Sequence, residues 1–87
     1  MITIYGKPQC GFCTKAKALA DSYSMEYVYK DVTNSVEIMS EMKDRAGTVV
    51  IKTVPQIFIR NEYIGGYTQF AKYIEETGYT GHADHSL

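Results

Sequence analysis

The chain holds only two cysteines, Cys10 and Cys13, separated by two residues in the stretch KPQCGFCTKAK. Four kinds of chemistry use thiols so placed: a structural staple, half of a zinc site, an iron–sulfur ligand, or a pair made to be oxidised and reduced. A staple gains least, because closing so short a loop removes little entropy from the unfolded chain, and the reducing cytosol would open it. Zinc needs two further ligands. His82 and His85 would supply them, but 68 residues lie between Cys13 and His82, and the two histidines are closer together than a finger requires. They read as solvated residues of a tail, and no bound metal is expected.

The redox reading has a physical basis. A cysteine at the start of a helix faces unpaired N–H groups and the positive end of the helix dipole. Cys10 is expected there, with Cys13 one turn further in. The first is expected as the exposed, ionised thiolate and the second as the protected thiol. For any thiol so placed, lower basicity raises the ionised fraction but lowers nucleophilicity by a similar factor, so the net gain is as a leaving group. Lys7, Lys15 and Lys17 add positive potential, although Lys15 and Lys17 read as ordinary solvated lysines.

The elements that must position these thiols follow from periodicity. ITIY (Ile2 to Tyr5) reads as a strand, broken by Gly6 and Pro8. Ala16, Leu19, Ala20 and Tyr23 recur at helical spacing, which predicts a helix from about Gly11 to Tyr23. Met25 to Val32 reads as a second strand. Asn34 with Glu37 three residues on predicts a capping box, followed by an apolar stripe of Ile38, Met39, Met42 and Ala46 and a stop at Gly47. Pro55 cannot donate to a ladder, so a strand is expected just after it, at Gln56 to Arg60. Asn61 and Glu62 connect it to a short strand at Tyr63 and Ile64, ended by Gly65 and Gly66. A last helix starts near Thr68, buries Phe70, Tyr73 and Ile74, and stops at Gly78. The order βαβαββα has a parallel crossover in its first half and an antiparallel hairpin in its second. It predicts an α/β fold with one mixed four-stranded sheet and three helices.

With 87 residues, the chain is long enough for one domain. Residues 1–78 are expected to form it, with 79–87 as a loose tail. A net charge of −1 without runs of one sign argues against a dedicated nucleic-acid or membrane-surface binder. No stretch approaches the ~20 apolar residues of a membrane span, and the N-terminus shows no signal peptide. A cytoplasmic monomer is expected.

Three blocks together resemble the glutaredoxin family: CGFC at the first helix, TVPQIF at Thr53 to Phe58, and IGGYTQF at Ile64 to Phe70. They follow the family's order and spacing across residues 1–78, and the last two look most like the small bacterial members that reduce ribonucleotide reductase. The resemblance implies a thioredoxin-like fold and glutathione as reductant. It implies that Cys10 is the nucleophile and that Cys13 resolves protein disulfides. It also implies a cis bond before Pro55, which would offer the Val54 N–H and C=O to a bound peptide as a strand would. Lys7 would meet the glycine carboxylate of glutathione, the Thr68 and Gln69 N–H groups would hold the γ-glutamyl carboxylate, and Tyr67 would line the groove. Phe12 is expected to be exposed beside the thiols.

Two positions depart from the family's usual pattern. Gly11 stands where proline is common, and glycine costs up to ~1 kcal/mol relative to alanine in a helix interior. Relatives without that proline can hold a [2Fe–2S] cluster through the first cysteine, so an iron–sulfur role for Cys10 stays open. Gln69 stands where aspartate is common, which implies weaker contact with the glutathione ammonium. A thioredoxin-like protein served by a flavoprotein reductase is the remaining alternative.

Overall fold

The computed structural model describes residues 1–47 and 53–78. The expected tail, with His82 and His85, lies outside them. Four strands and three helices follow in the order expected: β1 Ile2–Gly6, α1 Gly11–Ser22, β2 Tyr27–Asp31, α2 Val36–Ala46, β3 Gln56–Ile59, β4 Glu62–Gly65 and α3 Tyr67–Thr77. The sheet runs β2-β1-β3-β4. β1 pairs with β2 in parallel and with β3 antiparallel, and β3 pairs antiparallel with β4 through an irregularity between Ile57 and Phe58.

Alternation along the strands sorts side chains to the two faces. Ile2 and Ile4 of β1 and Ile57 and Ile59 of β3 join Ala16 and Ala20 of α1 and Phe70 and Ile74 of α3 in one core. Tyr5 and Phe58 point the other way, to Met42 and Ala46 of α2. The sheet is thus the middle layer, with α1 and α3 on one face and α2 on the other. Small alanines on α1 let that helix lie close to the strands. Truncating a fully buried aromatic such as Phe70 would cost ~3–5 kcal/mol.

Local chemistry adjusted several expected boundaries. The N-cap of α2 is Ser35, whose hydroxyl accepts from Ile38 N–H at 3.2 Å, and not Asn34. Asn34 instead donates its side-chain amide to Asp31. Arg60 belongs to the hairpin turn rather than to β3, with φ 58°, and Glu62 belongs to β4 rather than to the connection. A positive φ at the first turn position suits a two-residue hairpin loop. Tyr23 caps the C-terminus of α1 and is 48% exposed, so it leaves the buried stripe. Met25 is buried but precedes β2.

Candidate active site

The site forms where β1 hands over to α1. Gln9 adopts φ 60°, a left-handed conformation uncommon outside glycine, and the chain turns there into Cys10. Cys10 is the N-cap of α1, with extended φ and ψ of −108° and 112°. Its Sγ accepts from the Cys13 N–H at 3.2 Å, doing what a serine or aspartate oxygen does at an ordinary cap. The thiol of Cys10 also reaches the Val54 carbonyl, 3.7 Å away. Gly11 is therefore the first helical residue and not an interior one, so the full interior penalty of glycine does not apply. A Cβ added there would meet nothing within 4 Å, and proline suits that position.

One turn in, Cys13 is 1% exposed. Burial pushes its thiol up from 9.0 to about 11, and the Cys10 sulfur adds to the rise. The cysteines are both free thiols, with Cys10 partly exposed. One sulfur is accessible and accepts the Cys13 N–H, while the other is enclosed and held as a thiol.

The other expected residues gather beside Cys10. Phe12, Val54, Pro55, Tyr67, Thr68 and Gln69 line one groove of about 300 Å³ with Thr53. Lys7 lines an adjoining cavity of about 350 Å³ with Thr33, Met39, Lys43 and Val54, among others. The two spaces share Thr53 and Val54. The Val54–Pro55 bond is cis. Phe12 is 56% exposed, with its ring centroid 6.0 Å from that of Tyr67.

Gln69 does more than line the groove. Its Oε1 accepts the Gly66 N–H at 3.0 Å, which caps the start of α3. Gly65 has φ 120°, a conformation that favours glycine, and a Cβ there would press on the Gln69 Cβ and Cγ at 3.1 Å. The pattern of Gly66 followed three residues on by Gln69 carried this signal in the sequence.

Several positioning contacts had no such signal. Gln56, buried in β3, donates to the Thr53 carbonyl at 2.8 Å and accepts from the Tyr63 hydroxyl at 2.5 Å. It thereby ties the Thr53–Pro55 segment to the hairpin. Lys15 and Lys17 are not merely solvated: their ammonium groups lie 5.1 Å from the Phe12 ring centroid and 4.1 Å from that of Tyr29.

A sheet of this topology, with an accessible and a buried thiol at the first helix, defines a thiol–disulfide oxidoreductase of the thioredoxin-like fold. A family model described as Glutaredoxin matches residues 2–64. Glutaredoxin 1 of Escherichia coli (strain K12) is 38% identical over 78 residues, covering 84% of this chain and 91% of the relative. The glutaredoxin of Vibrio cholerae is 34% identical over 80 residues, covering 86% and 91%. Among solved structures, reduced Escherichia coli glutaredoxin superposes with a TM-score of 0.75 at 36% identity, covering 87% of this chain and 94% of that one. A buckwheat glutaredoxin–glutathione complex gives a TM-score of 0.74 at 21% identity, covering 86% and 68%. The chain belongs to the glutaredoxin family.

Proposed function

We propose that this protein uses glutathione to reduce protein disulfides and glutathione mixed disulfides. One observation carries the reading: the Cys10 sulfur meets the Val54 carbonyl, and Val54 lines the same groove as Phe12, Tyr67, Thr68 and Gln69. A disulfide presented to Cys10 therefore has a walled channel for the peptide on one of its sulfurs.

The Cys10 thiolate attacks one sulfur of the substrate, and the other leaves as a thiolate that takes up a proton. Cys13 then attacks the Cys10 sulfur, which closes the internal disulfide and releases the second substrate thiol. Two glutathione molecules reopen that disulfide, leaving as glutathione disulfide, so two electrons pass to the substrate. The backbone N–H groups of Thr68 and Gln69 at the start of α3 receive the γ-glutamyl carboxylate. Val54 pairs through its backbone with the tripeptide, Pro55 and Tyr67 wall the groove, and Lys7 meets the glycine carboxylate. Gln69 offers no charge to the ammonium. The domain is residues 1–78, acting as a monomer in the cytoplasm, and sequence resemblance makes ribonucleotide reductase one candidate acceptor.

Cys13→Ser provides the test. Reduction of a glutathione mixed disulfide should survive, whereas reduction of an intramolecular peptide disulfide should fall by at least about a hundredfold. Equal loss of both activities would contradict the assigned roles. Parallel turnover with glutathione and with a flavoprotein reductase identifies the reductant, and glutathione is expected to be the faster.

A further inference from the structure

The resolving step asks a buried sulfur to carry a negative charge. Cys13 is almost fully enclosed, so water cannot solvate the thiolate that must form there. An unpaired buried charge is costly, so donors within the fold decide how easily Cys13 reacts. The Lys7 backbone amide is one such donor. A second polar hydrogen that favours the ionised sulfur belongs to Tyr29.

Tyr29 stands on β2 opposite Ile4 of β1, and it packs on the core under α1 and α3. Its hydroxyl donates to the Lys7 carbonyl over a long 3.3 Å. The same hydroxyl and the Cys13 sulfur share the space beside Gly6. A Cβ on Gly6 would collide with the hydroxyl, lie 2.8 Å from the Tyr29 Cζ, and lie 2.9 Å from the Cys13 Sγ. Only glycine leaves room for both. The two groups perturb each other's ionisation.

We propose that Tyr29 is a positioning residue for the resolving step: its hydroxyl turns from the Lys7 carbonyl to the Cys13 sulfur and holds the thiolate as that sulfur attacks the mixed disulfide on Cys10. This rests on the reading of Cys13 as the resolving thiol. The proton lost by Cys13 passes to solvent, and the departing substrate thiolate takes one up. The Cys10–substrate S–S bond breaks as the Cys10–Cys13 bond forms. Tyr29 keeps its own proton throughout, since burial, followed by the neighbouring Cys13, pushes it up to about 12. The Lys17 ammonium over the Tyr29 ring draws electron density from the phenol and makes its O–H the better donor. Cys10 and Asp31 also act on Tyr29, both against ionisation, so the hydroxyl remains a donor at neutral pH.

Tyr29→Phe removes one oxygen and keeps the ring. With a peptide carrying an intramolecular disulfide and a second peptide glutathionylated at a single cysteine, the ratio of the two reduction rates should fall about tenfold or more. That is the size expected when a hydrogen bond to a charged group is lost. A second readout separates positioning from packing. In a Cys10→Ser background at pH 9, Tyr29→Phe should slow iodoacetamide labelling of Cys13 by a similar factor, because less thiolate is present. If the hydroxyl only filled space, its removal would loosen the enclosure and quicken labelling. An unchanged rate ratio, or faster labelling, overturns the proposal. Retention of intramolecular disulfide reduction by Cys13→Ser would instead overturn the role of Cys13 itself.

Discussion

Each face of the sheet sets a tyrosine beside a helix, Tyr5 fully buried and Tyr29 partly so, and the two hydroxyls have different partners. Under α2, Tyr5 donates to Glu41 and accepts from Arg45 at 3.1 Å. Glu41 is also paired with Lys30 at 2.6 Å. Arg45 reaches the Arg60 carbonyl at 2.5 Å and lies over the Phe58 ring. Among the described residues no buried side-chain polar atom lacks a partner. This network has its charges in place in the resting protein, and it joins α2 to β1, β2 and the hairpin. Under α1, Tyr29 faces a thiol that is neutral at rest and becomes charged only during turnover. A polar group whose partner is permanent contributes to stability. One whose partner ionises in the reaction contributes to rate.

That contrast can be broken most severely at the α2 face. Tyr5→Phe leaves Glu41 and Arg45 without a shared partner and should lower stability by ~1–2 kcal/mol, read as a shifted urea midpoint, with disulfide reduction unchanged. A matching loss of activity would mean that the two faces are coupled. The pH dependence should sharpen the difference further. The hydrogen bond from Lys30 is the main cause that holds the Glu41 carboxyl below its ordinary 4.5. A lowered folded-state value means that the unfolded chain binds the proton more readily. The stabilisation is therefore full above pH 4.5 and is lost as pH falls through the folded-state value. Glu41→Gln should flatten this acid limb. The opposite sign holds for Cys13, raised from 9.0 to about 11: its contribution is full below pH 9 and is lost as pH rises through 11. Cys13→Ser should flatten that alkaline limb in denaturation midpoints. The smallest effect is expected in the groove. Gln69→Asp puts a carboxylate near the glutathione ammonium and should lower the KM for glutathione about threefold, as a partly exposed charge pair allows. No change would place the ammonium elsewhere.

The order of elements was legible because each carries its own period: alternation in ITIY and QIFI, helical spacing in Ala16, Ala20, Phe70 and Ile74. The position of the thiols followed from the same signal, since a helix starting at Gly11 makes Cys10 its cap. Boundaries failed where neighbouring residues competed. Asn34 and Ser35 can both cap a helix, and the Asp31 carboxylate took the Asn34 amide. Tyr23 matched the helical stripe in spacing but fell at its last turn, where the core ends. Tyr29 was not legible as part of the site. It is one of eight tyrosines, and its place beside Gly6 with Cys13 arises only once β2 pairs with β1 and α1 packs over both. Gln56 was hidden in the same way, since its partners Thr53 and Tyr63 are fixed by the hairpin.

The central claim is that neighbouring sulfurs on one helix turn differ in access, Cys10 partly exposed and Cys13 enclosed. Alkylation of the reduced protein with iodoacetamide across pH 6–10, read by mass spectrometry of peptides carrying each cysteine after separation, tests it directly. Cys10 should label at least about a hundredfold faster than Cys13 at pH 7, with Cys13 gaining only towards the alkaline end. Equal labelling of the two at neutral pH, or Cys13 labelling first, would contradict the account.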